Sequence, residues 1–492
     1  MALTGLIIIL FFVVLAVLAP VLTNENPIYS TSLASPYSVP QWAVAFPQYS
    51  GLPLDTQYFQ PGGDFKTPSS VNLWTFSPQN GSSTSGTTMS YLWNGVVGPS
   101  NAAGDQYDLK NTGQGSLEVV TSTNSSFSNP TFTMSRGFDY QYKPAQRFRI
   151  GFYASTNSSA PINLVVGITV SSPSANYTIL QNSFFTVTRG NWTQVVVDSQ
   201  SATVELLVSP NNLLANVGKI VLSTQGRYTV NVNVEIQNAP KGTTHLYLSD
   251  TMFYVFGSAY GVLGTDSQGR SIFSQFVYGA QVSLEVGLFA AAIVILLASV
   301  VGVVSGYYGG WVEEVLMRLN DLLLSIPILP LLLVLILVID VSGLKIDTEE
   351  LVILLIGFLG WEVYARAIRS QVLSVKEKTF VNAARTLGVK PRSIVRRHII
   401  PNVAGLIYAL LSQAVPVAIL LEAALSFLGF YDPRVMSWGR MLGAAQSVAT
   451  VPTYGFVWWW FLPPGVAIAL ISVSFIFIGN ALDEMFNPKI LK

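Results

Sequence analysis

The chain has 492 residues, half of them hydrophobic and only 11% charged, with a mean hydropathy of +0.46, a balance that a soluble globular surface hardly sustains and that places at least part of the chain in a bilayer. The 26 basic residues cancel the 26 acidic ones, so no overall charge draws in nucleic acid, and useful electrostatics must come from local clusters. With no cysteine, disulfides, thiolate metal sites and thiol nucleophiles are excluded.

Residues Ala2 to Thr23 form an uncharged apolar run, long enough as a helix to cross about 30 Å of hydrocarbon. A cleavable signal would carry a basic leading segment and a small-residue cleavage site. Neither is clear around Met1 or Ala19-Pro20, so residues 1–23 are expected to stay as a first membrane helix.

From residue 24 to 262 the composition turns to Ser, Thr, Asn, Gln, Gly and aromatics with few charges. Arg147 to Tyr153, Thr203 to Val208, Arg227 to Ile236 and His245 to Phe256 alternate with period two, and Gln194 to Val197 adds a β-branched run, all separated by turn-forming clusters. The expected fold is an all-β sandwich of jelly-roll type. Five N-x-S/T acceptors, Asn80, Asn124, Asn157, Asn176 and Asn191, fall here and none elsewhere, which favours an outward-facing, glycosylated domain, although so Ser/Thr/Asn-rich a segment also produces such triplets by chance.

Residues 263–492 return to membrane character. Apolar stretches at Gly287 to Trp311, Leu322 to Ile339, Asn402 to Leu421 and Val451 to Leu482 read as spans, and a shorter one runs from Leu351 to the Glu362 region. With the first helix the total is six. Ile272, Phe273, Phe276, Val277 and Ala280 recur at helical spacing beside Ser271, Ser274 and Gln275. Two readings fit: an amphipathic segment at the interface, or an extension of the following span.

Between Tyr364 and His398, nine of the 26 basic residues (Arg366, Arg369, Lys376, Lys378, Arg385, Lys390, Arg392, Arg396 and Arg397) face the single acid Glu377. Positive charge is retained on the cytoplasmic side, so this loop, centred on residues 376–400, is expected inside. Both termini and Gly309 to Arg318 then lie inside, and the polar domain outside. Anchoring to lipid headgroups accounts for part of the charge without any partner. Within the loop, Phe380 to Gly388 reads as a short helix with a glycine stop, and Pro391 opens the next. Ala383 and Ala384 would let that helix seat in a groove on a partner.

Several stretches together resemble the C-type permease subunit of binding-protein-dependent ABC importers of the dipeptide/oligopeptide/nickel class. Trp361 to Ser374, Phe380 to Gly388 and Arg397 to Asn402 resemble that class's long EAA loop. Leu263 to Ser271, Gly302 to Trp311, Glu422 to Gly429 and Ser437 to Leu442 are similar to other motifs of the class, in its order. The resemblance implies an all-α six-span permease core with the β domain inserted after the first helix. It also implies that Phe380, Val381, Asn382, Ala383, Ala384, Arg385, Thr386, Leu387, Gly388 and Pro391 form the coupling helix against an ATPase. The implied partners are a second homologous permease, two ATPases carrying ATP and magnesium, and an extracellular substrate-binding protein. The class handles oligopeptides and, in some archaeal members, oligosaccharides, by alternating access. This sequence departs from the class at Asn382 and Ser271, which replace a usual Glu and Asp, at Asn487-Pro488 in place of Asp-Pro, and by the long insert.

No Walker A pattern appears, so the chain is read as a transport subunit with no enzyme activity and no cofactor or metal of its own. Glu362 and Glu422 lie at or within apolar spans and are candidates for transport, or for mundane pairing. His245 and His398 fall in different segments, which argues against a shared metal, and Trp458, Trp459 and Trp460 read as an interfacial aromatic belt. Rival readings are a membrane-anchored glycan-binding or adhesion protein and an outer-domain glycosidase. For the latter, Asp55, Asp64, Asp105, Asp108, Asp139, Asp198, Glu205, Glu235 and Asp250 form no recognisable pair. The insert is expected to serve as a dock or gate for the binding protein, with carbohydrate binding as the alternative.

Overall fold

The computed structural model describes residues 2–54, 56–58, 65, 67–78, 83–84, 87–98, 115–124, 129–212, 215–237, 239–342, 346–449 and 457–486. Two compact units emerge, Ser32–Gly269 and the combination of Met1–Thr31 with Arg270–Lys492.

Ser32–Gly269 holds two antiparallel sheets. One runs in the order Thr193–Asp198, Phe148–Thr156, Gly242–Val255, Ser116–Thr123, Thr87–Asn94, Ser83–Thr84, with Gln57–Tyr58 also pairing on Gly242–Val255. The other runs Thr75–Ser77, Thr131–Tyr140, Gly226–Gln237, Ile162–Ser171, Asn176–Val187. Alternation along the strands turns Leu117, Val119, Ile150 and Phe152 of the first sheet and Phe132, Met134, Val230 and Val232 of the second into one shared core. Thr203 to Val208 departs from its period-two pattern. Ala202–Val208 is helical, its first turn closed by Glu205 N–H donating to the Ser201 carbonyl. Val204 is buried but Leu206 is exposed, so the alternation buries no face, and a short helix satisfies the backbone locally where no neighbouring strand does. At the sheet edge, Asp198 accepts hydrogen bonds from Arg147 and Arg149 at 2.6 and 3.0 Å. Burial pushes its carboxyl up, but the two guanidiniums outweigh burial and hold it below the ordinary carboxylate range.

The second unit is helical: α1 (Ala2–Val17), α2 (Ile272–Tyr308), α3 (Gly310–Leu324), α4 (Ile328–Val341), α5 (Thr348–Leu359), α6 (Glu362–Lys376), α7 (Thr379–Thr386), α8 (Ile400–Phe427), α9 (Trp438–Ala449) and α10 (Trp458–Phe486). Among the described residues, Ile272–Tyr308, Thr348–Lys376, Pro391–Phe427 and Trp458–Met485 are each long and apolar enough to cross a bilayer. α3 and α4, bent by 86° at Ser325 to Pro327, qualify together as a further one, and Pro327 explains the break. α1 is shorter, with Leu3, Leu6, Ile7, Leu10 and Phe11 exposed, a surface suited to lipid. The chain is a multi-pass membrane protein.

The segment Ile272 to Ala280 resolves to the extension reading, since it opens the unbroken α2 and buries Ile272, Val277 and Ala280 together with polar Ser274 and Gln275, leaving no water-facing side. Ser271 caps it by accepting from Ser274 N–H at 3.2 Å, so serine does at this departure what a capping aspartate would do. Trp459 and Trp460 are buried and only Trp458 is exposed. The tryptophan run is therefore mostly core, because successive helical positions 100° apart cannot all face an interface.

α1 crosses α10 closely, with a Cβ added at Gly5 falling 2.7 Å from the Ser474 carbonyl oxygen. Gln281 of α2 donates to the Ala16 carbonyl at 2.7 Å, and Phe12 packs edge-on against buried Trp438, ring centroids 5.5 Å apart.

Candidate functional site

The candidate site is α7 with the helices that hold it. Its entry is set by Lys378 in extended conformation, and its exit is a Schellman motif. Gly388 N–H donates to Arg385 O at 3.0 Å and Val389 N–H to Ala384 O at 3.2 Å, with Gly388 at φ 73°. Lys390 is extended again and Pro391 occupies the first turn of the next helix, where its missing N–H costs nothing. A π-helical turn over Val395–Ile399 then joins that turn to α8.

Along α7, Val381 and Ala384 are buried, whereas Phe380, Asn382, Ala383, Arg385, Thr386 and Leu387 are exposed. The spacing of three puts the buried pair on one face. Phe380, Ala383 and Leu387, at i, i+3 and i+7, form an apolar stripe on the free face, and Leu387 is 82% exposed. Pro391 and Gly388 are exposed at the exit. Asn382 donates to the Glu377 carbonyl at 3.3 Å, and Thr386 hydroxyl to Ala383 O at 2.9 Å. Asn382 thus reaches back to the start of the helix rather than forming an ion pair. His398 lies beside Phe380, ring centroids 6.1 Å apart.

Behind α7, α6 buries Ala365, Ile368, Val372 and Val375 at spacings of three and four against α2. Two glycines permit this approach. A Cβ added at Gly302 would lie 2.7 Å from Ala365 O, and one at Gly306 would lie 2.9 Å from Val372 Cβ. Lys376 Nζ sits 3.5 Å from Gly306 O, and the Arg385 guanidinium lies 5.6 Å from the Tyr307 ring. Arg369 and Arg366 of α6 pair with Glu313 and Asp321 of α3. Sequence reasoning missed Glu313, Asp321 and Tyr307. Their signal is that acids sit on α3 in a region otherwise opposed by basic residues, and that Tyr307 lies within the Gly302 to Trp311 motif.

α7 presents an apolar stripe beside its buried Val381 and Ala384, touches α2 through Arg385 over Tyr307, and follows α6, which packs on α2 and pairs with α3. Glu362 is buried in the first turn of α6, where the helix N-terminus favours a carboxylate. Glu422 is buried on α8 and accepts from the Ser426 hydroxyl at 2.7 Å. No group of three His, Asp or Glu side chains able to hold a metal occurs among the described residues.

Elsewhere, Asn124, Asn157, Asn176 and Asn191 are exposed, while Asn80 lies outside the described residues. Asn157 Oδ1 accepts from His245 N–H at 3.1 Å, and Asn191 Nδ2 donates to the Thr188 hydroxyl at 3.2 Å. Of the acids weighed for glycoside chemistry, Asp55, Asp64, Asp105 and Asp108 also lie outside the described residues, and Asp198 is committed to Arg147 and Arg149.

Residues 298–492 match the family described as the inner membrane component of binding-protein-dependent transport systems. The chain is 33% identical over 234 residues to the dipeptide transport system permease protein DppC of Alkalihalophilus pseudofirmus, covering 47% of this chain and 73% of that one. It is 37% identical over 233 residues to the oligopeptide transport system permease protein OppC of Haemophilus influenzae, covering 47% and 71%. With OppC of Bacillus subtilis the identity is 36% over 230 residues, covering 46% and 72%.

Proposed function

The chain belongs to the ABC importer permeases of binding-protein-dependent systems, in the C-type branch of the peptide class, and from that premise we propose that it forms half of a transmembrane pathway for peptides. Six segments cross the membrane in this reading: α1 with Ala19–Leu22, α2, the α3 and α4 pair, α5 with α6, Pro391–Phe427, and α10. The basic loop carrying α7 faces the cytoplasm. The β unit, a jelly-roll glycosylated at its sequons, then lies outside and docks the substrate-binding protein. A second permease, two ATPases that bind ATP and magnesium, and that binding protein complete the importer.

The observation that carries the reading is the apolar stripe of Phe380, Ala383 and Leu387 on a short helix that follows α6, itself packed closely on α2 at Gly302 and Gly306. A helix seated in an ATPase groove moves when the ATPases close on nucleotide. The two glycine contacts and the α3 ion pairs then pass that motion to the spans as a rigid unit, switching the pathway between inward and outward openings. The natural absence of cysteine makes the test clean. Phe380→Cys or Leu387→Cys, in the assembled importer, should crosslink to a cysteine placed in the ATPase groove, in a nucleotide-dependent way, and the crosslink should stop ATP-driven peptide uptake. Crosslinks that form but leave uptake intact, or an assembly without any ATPase, overturn the proposal. Removing residues 32–269 and measuring binding-protein affinity tests the dock separately, since undiminished affinity rules it out.

A further inference from the structure

Glu285, Asp347, Glu349, Glu350, Glu422 and Asp432 of the helical unit gather around two neighbouring cavities away from the basic loop. Glu349 lies in the first turn of α5, whose continuation through α6 leads to the basic loop, and Glu422 lies one turn from the end of α8 that is farther from that loop. Glu285, Asp347, Glu349, Glu350 and Asp432 line one open cleft, with Arg434 as the only basic residue among its lining residues. Arg434 is occupied. It pairs with Asp347 and Asp432, and its hydrogen bonds hold Asp432 below the ordinary carboxylate range. Glu285, Glu349 and Glu350 are left without a basic partner among the described residues.

Glu349 and Asp432 also line a smaller chamber shared with Glu422, Ser426 and Ser437. Its free space admits about one water-sized group. Glu422 is 4% exposed. One of its oxygens accepts from Ser426, but Oε2 is buried without any hydrogen-bond partner. A buried carboxylate oxygen left unsatisfied is costly, and here its residue lines a chamber that shares Glu349 and Asp432 with the cleft.

We propose that the cleft and Glu422 form a cation subsite on the transport path, taking the primary ammonium group of a lysine-bearing peptide. An ammonium head is compact and brings three donors, which suits a chamber of this size where Glu422, Ser426 and Ser437 sit among the apolar Val282, Val286, Val352 and Phe430. A planar guanidinium is too broad for it. Chelation of a metal ion is disfavoured because no group of three ligating side chains converges among the described residues. A net negative cleft gains little from a zwitterion, whose carboxylate it repels, and most from a peptide of net positive charge.

This inference rests on the importer reading above. The test uses the complete importer in lipid vesicles with saturating binding protein loaded with Ala-Lys-Ala or with the same peptide acetylated on the lysine nitrogen. The initial ATP-driven uptake rate is read for each, so that the binding step is common to all permease variants. The native complex should favour the lysine peptide, and Glu422→Gln should reduce that preference about tenfold, as expected for loss of one charged hydrogen bond. If Glu422→Gln fails to assemble, Glu349→Gln at the rim carries the test, with a reduction of about threefold from a solvated charge. A native complex without preference, or a preference unchanged in the variants, overturns the subsite while leaving the importer intact. No ATP-driven uptake of either peptide overturns the importer reading, and the subsite with it.

Discussion

Arg369 of α6 and Glu313 of α3 are joined across the bundle, Arg369 Nε lying 2.7 Å from Glu313 Oε1, with both side chains at least 70% buried. The pair ties α6, the helix that precedes α7, to α3. Arg369→Glu and Glu313→Arg should each slow ATP-driven uptake, and the swapped double variant should recover most of it. Exposed and half-buried pairs of this kind couple by about 1 kcal/mol in double-mutant cycles. A double variant as slow as the product of the two singles would refute a shared role.

Gly388 stands at φ 73°, and a Cβ there would meet nothing within 4 Å. Any penalty at this position is therefore backbone conformation and not crowding. Gly388→Val should cost about 1–2 kcal/mol in the local turn and weaken binding of the ATPases, whereas Gly388→Asn, which tolerates the left-handed region, should stay close to the native chain. Affinity of detergent-purified ATPase for the permease pair reads the difference. Equal effects of Val and Asn would show that the turn geometry is immaterial.

Gly302 and Gly306 carry the opposite problem, since backbone or Cβ atoms of α6 lie under 3.0 Å from where a Cβ would sit at either site. Gly302→Leu must push α6 away from α2, at about 1–3 kcal/mol or more. Thermal stability of the purified permease pair should fall. Uptake should fall further than stability alone explains, because α7 hangs from α6. A stable variant with native uptake would show that the close approach is not needed.

In the β unit, Asp198 between Arg147 and Arg149 sets a pH dependence. Its folded carboxyl is held below the ordinary range, so the unfolded chain binds its proton first as pH falls. The stabilisation is complete at neutral pH, begins to fade as pH drops towards the unfolded value near 3.9, and is lost below the folded value. Hydrogen exchange along Phe148–Thr156 in the intact chain should accelerate over that window. Asp198→Ala, which strands two buried guanidiniums, should lower the local opening free energy by about 3 kcal/mol at neutral pH. Arg149 lies 5.1 Å from the Phe256 ring and Arg147 lies 4.6 Å from it, so the ring stabilises both cations in part and bounds the loss.

The shape of the Phe380 to Pro391 segment was legible because it is built from local signals. A glycine that must turn left-handed, a proline that can only begin a helix and a three-residue spacing of Val381 and Ala384 are all written in consecutive positions. Strands such as Phe148–Thr156 and Gly226–Gln237 were legible for the same reason, their alternation being intrinsic. Thr203 to Val208 misled because alternation specifies a strand only where a sheet edge is free to receive it. The tryptophan run misled because burial is decided by neighbours distant in sequence. The partnership of Arg369 with Glu313, the seat of Arg385 on Tyr307 and the orphaned oxygen of Glu422 depend on helices that meet only in three dimensions, so no window along the chain contains them.

The close crossing at Gly5 and Ser474 has a bearing on biogenesis. α1 finds part of its seat on α10, so during synthesis that contact must wait, with α1 held by lipid, by α2 or by an insertase, until the segments between them are made. Nascent chains stalled before α10 should therefore hold α1 loosely, open to capture by quality-control proteases, and the lipid-compatible surface of Leu3, Leu6, Ile7 and Leu10 is what lets it survive that interval.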